Sequence, residues 1–212
     1  MEQPEAIIKC LNFGARLSGE PGSAKLGGFD EHKKELIDIK HLIIIACGSS
    51  FYAGLYGAKV FKLLNCFETV QVFVASEFSE SDFPEEGAGV LLISQSGETA
   101  DVYRALQMAK NRGIPSIGLV NVVGSLIASN VDCGIYLNTG REVSVPATKS
   151  FTSQIVALIL AALWFSHNKA VKPKFKIRTE VTTQLHSLPI TVGKNDKLKL
   201  FLLMCLYRKD FM

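Results

Sequence analysis

Two short stretches hold the residues best suited to chemistry. In Ala46-Cys47-Gly48-Ser49-Ser50 and in Ile93-Ser94-Gln95-Ser96-Gly97-Glu98-Thr99, an apolar run gives way to glycine and hydroxyl side chains where helical spacing begins. A helix start exposes backbone N–H groups without intrahelical partners and the positive end of the helix dipole, a combination that favours an anion such as phosphate. Ser49, Ser50, Ser94, Ser96 and Thr99 add hydroxyl donors, and Gly48 and Gly97 let the backbone approach the anion closely. A site of this kind uses neutral donors and needs no lysine cluster. The plainer reading of each turn is an ordinary N-cap, which Ser and Thr often supply. Two such turns on strands expected side by side, one of them as polar as Ser-Gln-Ser-Gly-Glu-Thr, favour a ligand site.

The elements that must position these turns alternate along the chain. Leu42–Ala46 is apolar on both faces, as a covered parallel strand must be. Further strands are expected at Val70–Val74, Gly89–Ile93, Ile117–Val120 and Cys133–Leu137, with helices over Ser50–Leu64 and Thr99–Asn111 and a small one near Ser125–Ser129. The Thr99 helix stops at Gly113, with Pro115 just beyond. This alternation predicts an α/β fold: a three-layer, doubly wound sheet of five parallel strands in the flavodoxin-like order 2-1-3-4-5, with flanking helices at both ends. In that order both serine turns fall at the carboxyl ends of strands 1 and 3, the switch point where such sheets bind ligands.

The organisation reads as residues 1–40, a helical lead-in with Gly-rich joints; 41–168, the ligand-binding domain; and 169–212, a helical tail. Thr148–Ser166 is expected to form a helix apolar around most of its circumference, whose outer side is covered by a second copy in a homodimer or, alternatively, by residues 1–40 and the C-terminal tail folding back over it. Its longest apolar run, Ile155–Phe165, has 11 residues, short of the roughly 20 that a membrane span needs.

Net charge is +3, from 23 Lys and Arg against 20 Asp and Glu, too slight for a nucleic-acid groove. The five cysteines are scattered without metal-ligand spacing, and reduced thiols in a cytoplasmic protein are the expectation. No metal, cofactor, nucleic-acid or membrane partner is expected. The dinucleotide and P-loop glycine patterns are missing, neither serine turn matches Gly-x-Ser-x-Gly, and the four histidines stand apart.

The string LLISQSGETADVYRALQMAKNRG, with ACGSS upstream and EVSVPATKSFTSQ downstream, resembles the isomerase (SIS) domain of glutamine–fructose-6-phosphate aminotransferase, also called glucosamine-6-phosphate synthase. MEQPEAI and NVVGSLIASNVDCGIYLNTG extend the resemblance to roughly residues 2–168, corresponding to the first of two SIS halves. It implies that Ser49, Ser50, Ser94, Gln95, Ser96 and Thr99 hold the phosphate and nearby hydroxyls of a hexose 6-phosphate, with Val145 and Ala147 lining the sugar. Ala147 stands where family members often carry Ser, and Pro146 is a second departure. The resemblance also implies a homodimer, or a partner chain carrying the second SIS half.

In the family, a separate domain with an N-terminal cysteine nucleophile hydrolyses glutamine, whereas here residue 2 is Glu and the first cysteine is Cys10. The family's acid/base Glu and His and its lysines belong to the second half, and nothing after about residue 190 matches it. The tail therefore reads as a truncated second half, and no catalytic residue is assigned. Expected is the sugar-phosphate-binding half of an amino-sugar isomerase or aminotransferase. The alternatives are a non-catalytic regulatory module and an inactive remnant.

Overall fold

A computed structural model describes residues 2–17, 20–142, 148–169 and 174–194. Five strands, β1 (His41–Ala46), β2 (Thr69–Val74), β3 (Ala88–Ser94), β4 (Ser116–Val120) and β5 (Cys133–Tyr136), form one sheet in the order β2-β1-β3-β4-β5. Every pairing is parallel, and Ala46 lies opposite both Val74 and Ile93. The expected five-stranded order is the observed one.

The sheet is covered on both faces, and β1 shows why an uninterrupted apolar run was required. Leu42, Ile44 and Ala46 join the core beneath α4 (Ser49–Leu63) and α6 (Lys149–Asn168). The intervening Ile43 and Ile45 join a second core with Val102, Ala105, Leu106 and Ala109 of α5 (Ala100–Asn111). Alternating strand residues point to opposite faces, so a strand between two helical layers must be apolar at every position.

α4 and α6 lie side by side. A Cβ on Gly57 would stand 3.0 Å from Leu158 Cδ1, so the missing side chain sets how closely the two helices pack. Bonds farther along fasten the seam: Cys66 Sγ–H donates to the Ala162 carbonyl at 3.3 Å, and Ser166 Oγ–H to the Leu64 carbonyl at 3.1 Å.

The apolar surface of α6 is covered within the chain. α1 (Gln3–Cys10) packs against it, and α7 (Phe175–Lys194) lies on α1. Phe29, in the short α2 (Gly27–Glu31), meets Trp164 edge-on at 5.2 Å, and the Trp164 indole N–H donates to Asp30 at 2.7 Å. Among the described residues, α6 alone has the length and apolarity to cross a membrane; packed on all sides by protein, it is a core helix. The outer apolar side on which the sequence-based argument for a dimer rested is therefore not exposed.

One other expectation differs. Residues 126–130 form consecutive turns instead of a helix. The Asn130 and Val131 N–H groups both donate to the Ile127 carbonyl at 3.1 Å, so no regular i→i−4 ladder continues, while the Leu126 N–H donates to Glu98 Oε1 at 2.8 Å and the Ile127 N–H to the Gly97 carbonyl at 2.9 Å. Within the expected helical tail, α7 runs for 20 residues with Pro189 inside it. Leu185 and Leu188 are buried in the main core, so tertiary packing supports a helix that its β-branched residues do not favour.

Candidate functional site

The carboxyl ends of β1 and β3 open onto one cleft of about 320 Å³. It is lined by Cys47, Gly48, Ser49 and Ser50 after β1, by Ile93, Ser94, Gln95, Ser96 and Thr99 after β3, and by Glu142. Six of the eight residues expected at the site are thus brought together. Val145 and Ala147 lie outside the described residues.

After β1 the chain turns through Gly48, whose φ of +56° and ψ of −133° suit glycine alone. That turn points the start of α4 into the cleft. After β3, Gly97 has φ +70°, and a Cβ there would fall 1.9 Å from Ser125 Oγ, so the position excludes any side chain. The turn between β3 and α5 is sewn to the loop after β4. The Asn121 N–H donates to the Gln95 carbonyl at 3.3 Å, alongside the Leu126 and Ile127 bonds already described. Asn121 also holds the segment leading to Glu142. Its Nδ2 donates to the Gly140 carbonyl at 2.7 Å, and its Oδ1 accepts from the Thr139 N–H and O–H at 3.0 and 2.8 Å.

The hydroxyls are placed but not consumed as caps. Gly48 and Thr99 are the N-cap residues of α4 and α5, and neither makes a side-chain cap hydrogen bond. Ser94, at the last position of β3, accepts the Gly97 N–H at 3.0 Å and lies 3.0 Å from Thr99 Oγ1. Ser96 accepts the Glu98 N–H at 3.2 Å. Ser50 accepts from Gln154 Nε2 of α6 at 2.9 Å. The ordinary N-cap reading of the two turns is therefore not what the geometry displays.

α6 provides the contrast. Glu142 Oε2 accepts from the Thr148 and Ser150 N–H groups at 3.2 Å and from Ser150 Oγ–H at 2.9 Å, while Oε1 accepts from Thr148 Oγ–H at 3.2 Å. Burial raises the Glu142 pKa, but the bonds from Ser150 and Thr148 outweigh it and hold the carboxyl below its ordinary value. A carboxylate thus already accepts the N–H groups at the start of α6, whereas no side-chain cap bond closes α4 or α5, and the first-turn carboxylate of α5, Asp101, lies 4.0 Å from Arg104.

Among the described residues that line the cleft there is no Lys, Arg or His. Lys149, at the first position of α6, instead pairs with Glu2 at 2.7 Å. Cys47 is half-buried at the cleft, and burial pushes its thiol pKa up, aided by Asp101 and opposed by hydrogen bonding to the backbone of Ala75 and Ser76. No group of His, Cys, Asp and Glu with the makings of a metal site occurs among the described residues.

Sequence reasoning missed Glu142 and Gln154. Glu142 precedes its helix by more residues than a capping box spans, and Gln154 is 104 positions from Ser50. A glutamine directly before the apolar run Ile155–Phe165 was the one available signal.

Comparison with known proteins places these features in a family. Residues 35–163 match the model of the SIS domain. The chain is 36% identical over 189 residues to glutamine–fructose-6-phosphate aminotransferase (isomerizing) 2 of Mus musculus, covering 89% of this chain and 27% of that protein. It is 35% identical over 202 residues to glutamine–fructose-6-phosphate aminotransferase (isomerizing) of Bacteroides thetaiotaomicron, covering 93% of this chain and 32% of that one. Among solved structures, the C-terminal domain of glucosamine-fructose-6-phosphate aminotransferase from Francisella tularensis superposes with a TM-score of 0.77 at 29% identity, over 89% of this chain and 51% of that chain. The chain spans about a third or less of the length of these curated relatives.

Proposed function

This chain belongs to the SIS domain family, and we propose that its cleft binds a hexose 6-phosphate, fructose 6-phosphate or glucosamine 6-phosphate, as the first SIS half of a glucosamine-6-phosphate synthase-type protein in amino-sugar biosynthesis. One observation carries the reading: two helix starts, neither closed by a side-chain cap, open on the same cleft, while a third is filled by an internal carboxylate. Phosphate takes the place at α4 and α5 that Glu142 takes at α6. Ser49, Ser50, Ser94, Gln95, Ser96 and Thr99 supply its donors and reach the nearby hydroxyls. Glu142, an acceptor that repels phosphate, faces the hydroxyl-bearing part of the ligand. Val145 and Ala147 complete the sugar side.

Aldose–ketose isomerisation needs a base at C1/C2 and a group that opens the ring. Among the described cleft residues the ionisable side chains are Glu142, engaged in capping α6, and Cys47, whose pKa is raised. Residues 41–168 therefore act as the binding unit, and turnover in this reading needs a second SIS half, on a partner chain or through a homodimer. Tyr52 on α4 and Val123 after β4, 65% and 72% exposed, are apolar surface available for such assembly. The same lack of an acid/base pair favours the second reading, a cytoplasmic sugar-phosphate-binding module without catalysis. Titration with fructose 6-phosphate and glucose 6-phosphate, followed by an isomerisation assay, separates the two. Binding without turnover by the chain alone is expected, and failure to bind either sugar phosphate contradicts both readings.

A further inference from the structure

Gln154 is fully buried in the seam between α4 and α6. Its Nε2 donates to Ser50 Oγ at 2.9 Å, and its Oε1 has no partner. An amide buried with a lone carbonyl destabilises the fold relative to a leucine of similar size. Its neighbours Ile155, Val156 and Leu158 show that this part of the helix accepts apolar residues. The one polar contact this amide makes is with a hydroxyl of the cleft.

A serine hydroxyl has one proton and two lone pairs. Because Gln154 donates, it fills a lone pair of Ser50 and leaves the Ser50 proton free. In the reverse amide orientation Oε1 takes up that proton and both Nε2–H groups are buried without partners, against one Nε2–H and the carbonyl in the orientation observed. Ser50 stands at the second position of α4, 7% exposed and facing the cleft. We propose that Gln154 is a positioning residue for the ligand, orienting the Ser50 O–H to donate into the cleft. This inference rests on the reading of the cleft as a phosphate site. Without Gln154 the Ser50 rotor is released, and part of the free energy of its bond to the anion goes into re-ordering it.

The test is a double-mutant cycle read by calorimetric titration with fructose 6-phosphate. Gln154→Met keeps the length and removes the donor, and its Kd is expected to rise about 5- to 10-fold, below the loss from deleting a bond to a charged group outright. In a Ser50→Ala background the same change is expected to do nothing further, because the hydroxyl it acts through is gone. A Kd within about twofold of wild type, or effects that multiply independently, overturns the inference. A wild-type chain that binds no fructose 6-phosphate overturns the phosphate reading and this inference with it. Wild-type binding with an unaffected Gln154→Met variant overturns the inference alone. Should Gln154→Met fail to fold, the wild-type protein supplies the readout: the Gln154 side-chain amide resonances are expected to shift on adding fructose 6-phosphate, and unchanged resonances contradict the proposal.

Discussion

The hydroxyl oxygens of Ser94 and Thr99 lie 3.0 Å apart, joining the last residue of β3 to the N-cap of α5 across the turn. The Gly97 N–H also donates to Ser94 Oγ, so this side chain organises the turn from within, 3% exposed. Ser96 reaches only the Glu98 N–H and is more open. The two serines are expected to separate by experiment. Ser94→Ala should lower unfolding stability by about 1–2 kcal/mol as well as weakening ligand binding, because it strands a buried N–H. Ser96→Ala should weaken fructose 6-phosphate binding about tenfold with stability almost unchanged. Urea denaturation beside calorimetry checks both, and equal stability losses would contradict the division.

Gly97 combines φ +70° with a Cβ position 1.9 Å from Ser125 Oγ. Gly97→Ala should therefore destabilise by about 3 kcal/mol or more, summing backbone strain and overpacking. At Gly48 the Cβ meets open space, so Gly48→Ala carries the backbone strain alone and should cost less. Melting curves of the two variants give the order directly; a milder effect at Gly97 would contradict it.

The Glu142 carboxyl titrates below the ordinary glutamate value of 4.5 in the folded chain. A depressed folded pKa contributes stability above the unfolded pKa, and that contribution is lost as pH falls through the folded value. The hold on the start of α6 should thus be constant near neutrality and fade below about pH 4.5. Glu142→Gln should lower stability at pH 7 and flatten the acid limb of the stability–pH curve, as measured by denaturation at several pH values. An unchanged acid limb would exclude Glu142 as its source.

Four described cysteines are free, and they differ in environment. Burial pushes the thiols of Cys10, Cys66 and Cys133 up to about 12, whereas Cys47 borders the cleft. Of these four, Cys47 should react first with iodoacetamide, slowly at pH 7 because its pKa is also raised, and faster as pH increases. Saturating fructose 6-phosphate should slow that reaction, as followed by peptide mass mapping. A rate indifferent to the sugar phosphate would place the ligand elsewhere.

Much of the framework was legible because each strand between helical layers must be apolar on both faces, and Leu42–Ile45 declares this openly. The two serine turns were legible as a pair: either alone reads as an N-cap, but two after strands expected side by side point to one shared site. Less legible were features set by distant partners. α7 contains Pro189 and many β-branched residues, and packing of Leu185 and Leu188 holds it helical. Where a helix was expected near Ser125 the chain forms turns, tied by their Leu126 and Ile127 N–H groups to Glu98 and Gly97 of an earlier turn. The enclosure of α6 depends on Phe29 and α1, far away in sequence. Glu142 and Gln154 acquire meaning only when the chain brings them to Ser150 and Ser50.

In the proposed function the cleft recognises the phosphate of a sugar phosphate through two helix starts and the hydroxyls beside them. Isothermal titration of the wild-type chain with fructose 6-phosphate and with fructose, under identical conditions, tests it most directly. Several hydrogen bonds to a charged group at about 1.5–3 kcal/mol each imply a preference of well over a hundredfold. Saturable binding of fructose 6-phosphate with no measurable binding of fructose is the expected result, and equal affinity for the two sugars would contradict the account.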